Sequence, residues 1–296
     1  MSALGAFQLV MLAGLGFALL SGLVVSAITP AVLARVAPWA PERRHRALLL
    51  LSLAPLVFGL AGLLAALLPS LLALRWPAHD HCAAHHGHVH LCFLHPPTHA
   101  ANAASWILLA LAAGWFAVRS AGSLAGLLRA SRVAARLLDT RYDNTALGAR
   151  VLPIETPLCL LVGVVRPAVV VSEGLVAQVS PADLAVMLHH ERAHAIRRDT
   201  LLRLLAGAAT LFVWRPMRAS LLRALTLAAE QSCDEVAGRA VGDRLLVAEV
   251  ILKVERLLQT PSGLAPVAAS FGGDVPARVE ALLEPPRTSG TLSRPL

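Results

Sequence analysis

Three long stretches without a charged residue set the plan of the chain: Ala3–Ile28, Ala47–Leu74 and Ala100–Val118, the third span being drawn to about residue 120, just past Arg119. A helix needs about 20 apolar residues to cross a bilayer, so each stretch is read as a membrane span. The first competes with a cleaved signal peptide, but no Lys or Arg precedes Arg35 and the run is too long for a signal core. From about residue 129 the pattern becomes mixed and charged. Leu158–Gly163 and Ala168–Ser172, either side of Arg166-Pro167, read as strand, turn and strand. Ser180-Pro181-Ala182-Asp183 announces a helix running to about Arg197, with Ser as cap, Pro in the first turn and an acid three residues after the cap.

Leu201–Trp214 is an apolar run of only 14 residues, the length of a buried or re-entrant helix rather than a full crossing. A further helix is expected from near Met217 through Glu230 to about Val241, followed by helical pieces at Leu245–Leu258 and Pro276–Leu283. The organisation predicted is a membrane region over residues 1–128, a zinc peptidase domain over 129–285, and a disordered tail over 286–296. The fold class is a mainly α membrane protein: three amino-terminal transmembrane helices and a membrane-associated α+β domain of gluzincin type.

Composition agrees with that plan. Of 296 residues, 56% are hydrophobic and 15% charged. Both figures lie far enough from globular averages to exclude a disordered chain and to disfavour an ordinary soluble enzyme. The net charge is +8, almost all of it from arginine, since Lys253 is the one lysine. These cations flank apolar runs and aromatic residues make up only 4%, so topology rather than nucleic-acid binding accounts for the charge. Arg35, Arg43, Arg44 and Arg46 lie between the first two spans, and Arg119, Arg129, Arg132 and Arg136 follow the third; the connection between spans two and three has little positive charge. The positive-inside rule then places the amino terminus and the second loop outside a bacterial-type inner membrane and the peptidase domain in the cytoplasm. Charges around the site, among them Asp183, Arg192, Arg197, Arg198 and Asp199, place it outside the bilayer interior.

The chemistry centres on His190-Glu191-Arg192-Ala193-His194, an HExxH sequence. Residues four apart share a helix face, so both imidazoles can reach one zinc ion, with Glu191 placed as general base. Glu230 can supply the third protein ligand, and Asp234, one turn later, can hold the outer nitrogen of a ligand histidine. The competing reading makes these two acids a solvated face paired with Arg223 or Arg239. His189 lies about 100° around the helix and reads as packing. His189 and Arg192 are the available candidates for an oxyanion donor.

These blocks resemble the BlaR/MecR-type membrane metallopeptidases, gluzincins related to the CAAX-prenyl-type zinc proteases. The resemblance is densest in LCLLVGVVRPAVVVSEGL, in SPADLAVMLHHERAHAIRRD and in Glu230-Gln231-Ser232-Cys233-Asp234-Glu235, similar to the family's ExxCD element. It implies that His190, His194 and Glu230 bind zinc, that Glu191 is the base, that Asp234 supports a ligand, and that Val162–Val171 holds an extended substrate by strand addition. It also implies cleavage of a cytoplasmic protein, such as a DNA-binding repressor, when an outside signal arrives. The best-known members carry a beta-lactam-binding sensor domain after a fourth span. The sequence through Leu296 shows neither, so antibiotic sensing by this chain alone is not expected. Assembly as a homodimer is compatible with this plan.

The second loop, residues 75–100, holds eight of the twelve histidines: His79, His81, His85, His86, His88, His90, His95 and His99, together with Cys82 and Cys92. Imidazole and thiol favour zinc, copper or nickel, which makes a further metal the expectation. Three readings stay open: a metal sensor gating the protease, a disordered metal buffer, or a Cys82–Cys92 disulfide with incidental histidines. The functional reading is a membrane-anchored zinc endopeptidase. Its alternatives are a non-catalytic metal-binding receptor and a constitutive quality-control protease.

Overall fold

The computed structural model describes residues 3–76, 101–139, 143–144, 147–258 and 274–285. It is mostly helical. Three long helices come first: α1 (Ala3–Val36), α2 (Pro41–Arg75) and α3 (Ala103–Asp139). All three contain segments long and apolar enough to cross a membrane. Then come β1 (Asp143–Asn144), β2 (Ala149–Leu152), β3 (Cys159–Val162) and β4 (Ala168–Ser172). Six helices follow: α4 (Glu173–Gln178), α5 (Pro181–Arg197), α6 (Asp199–Ala209), α7 (Arg215–Val241), α8 (Arg244–Leu258) and α9 (Val275–Leu283).

The chain divides into two compact units, and not by a single cut: one comprises Met1–Ala31, Leu50–Ser123 and Ala206–Ala219, the other Val32–Leu49, Leu124–Leu205 and Ser220–Leu296. In the first, polar side chains tie apolar helices together, as hydrogen bonds do where no water competes. Buried Gln8 donates to the Asn102 carbonyl at 3.0 Å and accepts from the Asn102 amide at 3.2 Å. Ser21 of α1 donates to the Pro55 carbonyl of α2 at 3.0 Å.

The expected 14-residue apolar element is corrected here. Helix α6 starts at Asp199 and stops at Ala209, and a turn through residues 210–213 leads into α7. Pro216, at the second position of α7, suits the start of a helix rather than the interior of a longer one. The turn packs on the spans: Phe212 lies 5.3 Å from Trp115 and 6.3 Å from Phe116, and the Trp214 amide donates to Ser26 of α1 at 2.9 Å.

In the second unit the strands form one sheet in the order β1-β2-β4-β3. The expected hairpin is present: β3 pairs antiparallel to β4, with Cys159 opposite Val171 and Val162 opposite Ala168. Gly163 makes its turn with φ of 103°, and a Cβ there would meet the Arg166 carbonyl oxygen at 2.7 Å. The parallel partner β2 and the two-residue β1 were not expected, because no turn signal like Arg166-Pro167 joins them to a neighbouring strand. Strand β3 forms one edge. Helix α5 covers the sheet and α8 packs against α5 and α9; Leu184, Met187 and Leu188 of α5 and Val247, Val250 and Ile251 of α8 pack with Val171 and Leu282 into one core.

The Phe212 contact makes a testable demand on α1. A Cβ at Gly22 would lie 2.6 Å from the Phe212 carbonyl oxygen, whereas one at Gly16 meets nothing within 4 Å. Helix propensity alone favours Ala over Gly by about 1 kcal/mol. Gly22→Ala is therefore expected to reverse that sign and cost about 1–3 kcal/mol through overpacking. Gly16→Ala is neutral or stabilising. Thermal unfolding of both variants in the same detergent checks this.

Candidate metal centre

Helix α5 is positioned by its own ends. Ser180 caps it, accepting from the Asp183 amide at 3.1 Å, and Arg198 closes it in the left-handed conformation with φ of 55°. Between them His190, Glu191 and His194 are buried, at 4–6% exposure. The four-residue spacing brings the Nε2 atoms of His190 and His194 to 3.2 Å from each other.

Glu230 reaches the same point from α7. Its Oε2 lies 3.4 Å from His190 Nε2 and its Oε1 3.6 Å from His194 Nε2. Zinc bonds of 2.0–2.1 Å in a tetrahedron require ligand atoms about 3.3–3.4 Å apart, so these three separations suit one ion. Glu230 Oε2 is also buried without a hydrogen bond of normal geometry, approached only at 3.4 Å by His190 Nε2 and Arg278 Nη1, which fits an oxygen that can ligate a metal. The donor set, two imidazoles and a carboxylate, is that of a catalytic zinc site.

Each imidazole is held from behind by a carboxylate, and each carboxylate by an arginine. His190 Nδ1 lies 2.9 Å from Asp234 Oδ1, and Arg278 of α9 clamps Asp234 through Nε at 2.8 Å and Nη2 at 2.7 Å. His194 Nδ1 lies 2.6 Å from Asp199 Oδ2, and Arg197 reaches the same oxygen at 2.5 Å. Glu230 and Asp234 are only 2% and 1% exposed, which removes the solvated-face reading. Both interact with Arg278, whose Nη1 is 3.4 Å from Glu230.

The charges follow from these contacts. Burial pulls His190 down, but the neighbouring carboxylates of Asp234 and Glu230 outweigh it and push the imidazole up to about 9. Burial opposes His194 too, yet Asp199, Cys233 and Glu230 push it up to about 11. Burial raises Glu230, Asp234 and Asp199, and their cationic partners reverse this and hold all three below the usual carboxylate range. Glu191 behaves differently. Burial raises it, and the nearby imidazoles do not fully offset that, which suits a group that must accept and return a proton.

His194, Asp199 and Cys233 form a second tight group of potential ligands. A cation already fills it: Arg197 Nη2 lies 3.1 Å from Cys233 Sγ as well as against Asp199. Burial also raises the Cys233 thiol, away from the thiolate that metals bind. Arg192 is committed elsewhere, donating to the Leu147 carbonyl, and so does not face the site as an oxyanion donor. His189 is half-buried.

Sequence reasoning treated Arg197 and Asp199 only as charges around the motif, although Asp199 follows His194 by five residues and could have been read as its partner. Arg278 gave no signal, being one cation on a nine-residue helix far along the chain. His79, His81, Cys82, His85, His86, His88, His90, Cys92, His95 and His99 lie outside the described residues.

A helix carrying HExxH, a glutamate from a second helix completing a buried His–His–Glu group, and three apolar helices are the marks of a membrane metallopeptidase. Compared with protein-family models, residues 100–280 match BlaR1 peptidase M56, and the chain belongs to that family. No curated protein and no solved structure matches it.

The metal-free site has a defined pH response. An imidazole raised above its unfolded value of about 6.5 stabilises fully below that pH and loses the contribution as pH rises through its folded pKa. For His190 and His194 that loss falls at about 9 and about 11. The three low-lying carboxylates contribute above about pH 4 and lose it in acid. Metal uptake must expel the Nε2 protons. Metal-free Tm is therefore expected to fall between pH 7 and 10, while the increment from added zinc grows. Thermal scans across that range check both signs; a zinc increment that shrinks with pH contradicts the assignment.

Proposed function

We propose that the protein is a zinc endopeptidase anchored in a bacterial-type inner membrane that cleaves a cytoplasmic protein, a transcriptional repressor, in response to a signal. The observation that carries the reading is the buried His190–His194–Glu230 group with Glu191 on the same turn of α5. Family membership supports a peptidase, and the repressor is what the BlaR/MecR resemblance implies. The arginine distribution supports an external amino terminus and second loop with the peptidase domain in the cytoplasm.

When bound, zinc would polarise the scissile carbonyl and make an attacking water more acidic. His190, His194 and Glu230 would hold it. Asp234 and Asp199 accept the Nδ1 protons of the two histidines, which leaves each Nε2 lone pair for the metal. The Glu191 carboxylate takes the proton from water and returns it to the leaving amine. Within the expected stretch Val162–Val171, β4 is an interior strand, and β3, an edge strand among the described residues that packs beside α5, is where an extended peptide would add as a further strand.

Glu191→Gln keeps size and ligands but removes the base. Peptide cleavage is expected to fall about 10²–10⁴-fold with zinc retained. In cells, new protein amino termini present with the wild type should vanish with the variant, and their sequence identifies the substrate. Unchanged termini with a folded, zinc-loaded variant would favour the non-catalytic receptor. Termini that persist without any inducing signal would favour constitutive quality control.

A further inference from the structure

The connection between α1 and α2 reads in the sequence as a topology signal, a run of arginines beside a span. Its exposed members fit that role: Arg43 stacks on Trp39 at 4.3 Å, and Arg46 pairs with Glu42 one turn away. Two neighbours on the other face of the same turns do something else. Arg44 and His45 point with buried Leu48 into the unit that carries the metal centre, to which Val32–Leu49 belongs.

His45 is buried at 7% exposure, and its Nε2 lies 4.0 Å from Oδ1 of Asp199, the carboxylate whose other oxygen holds His194. The acid that this buried imidazole faces is the one behind the His194 ring. Arg44 donates to Oε1 of Gln231, the residue after Glu230, and Gln231 donates onward to the Ala277 carbonyl at 2.8 Å. Ala277 precedes Arg278, so this chain of contacts reaches the clamp on Asp234 as well. A cavity of about 280 Å³ is lined in part by Arg44, Gln231, Arg244 and Ala277.

We propose that the first turns of α2 are a working part of the metal centre: His45 packs against Asp199 behind His194 and keeps that carboxylate in place, and Arg44 hydrogen-bonds Gln231 beside Glu230. Both are positioning residues, acting through the groups that orient the ligands, and the inference rests on the zinc reading above. Its consequence is that an apolar helix has a direct hold on the metal site at its own first turns, so that displacing those turns loosens both halves of the ligand set.

The test uses the full chain in detergent micelles and measures zinc affinity by chelator competition, together with the visible spectrum of the cobalt-substituted protein. His45→Leu and Arg44→Ala are each expected to weaken zinc binding about 10-fold or more and to change the cobalt spectrum. Arg44→Lys and His45→Gln recover part of the affinity, and Arg43→Ala and Arg46→Ala, on the exposed face, leave it unchanged. Wild-type affinity and spectrum in folded His45 and Arg44 variants would overturn the proposal. Should His45→Leu not fold, His45→Gln decides: affinity and spectrum both identical to wild type count against it. Absence of zinc binding by the wild type itself would instead refute the metal-site reading on which this rests.

Discussion

Everything at the metal centre depends on how buried charge is compensated. Glu191, Glu230, Asp234 and Asp199 are each under 5% exposed, and carboxylates so placed repel one another and forfeit hydration. Two arginines from different places in the chain resolve this. Arg278 forks onto Asp234 and approaches Glu230, and Arg197 binds Asp199. The planar guanidinium suits this because it offers several donors in a fixed plane and keeps its charge when buried. Removing one member of such a pair strands the other, at about 3–5 kcal/mol. The histidines are thereby fixed through their outer nitrogens, and their Nε2 atoms converge.

That requirement explains the path of the chain. The two halves of the site lie on α5 and α7, and Asp199 opens the short helix α6 between them. The α6–α7 turn carries Phe212 against Trp115 and Phe116 and hydrogen bonds to Ser26. The α6–α7 segment thus packs on membrane-type helices. The sheet supports α5 from its other side and leaves β3 as an edge beside it.

Much of this was legible in the sequence. The three apolar runs, the Ser180 cap and the β3–β4 hairpin each express a strong local rule: length in a bilayer, a side chain meeting free amides, and a turn residue between apolar segments. HExxH was legible because its two imidazoles and its carboxylate come from one turn of one helix. What was not legible depends on contacts distant in sequence. Arg278 meets Asp234 from 44 residues away, and Arg44 meets Gln231 from 187. No periodicity encodes such pairs. Arg44 and His45 were further hidden because a basic run beside a span has its own sufficient explanation. The end of α6 was not legible because its apolar composition continues through Phe212, while the turn is set by packing and by Pro216.

The central claim is that one ion sits between His190, His194 and Glu230, and that Arg197 excludes it from the neighbouring group. Anomalous diffraction at the zinc edge, from crystals of the zinc-loaded full chain, tests it most directly. The account predicts a peak about 2.0–2.2 Å from His190 Nε2, His194 Nε2 and a Glu230 oxygen, with Arg197 still on Asp199. A peak about 2.3 Å from Cys233 Sγ, with Arg197 displaced, would contradict it.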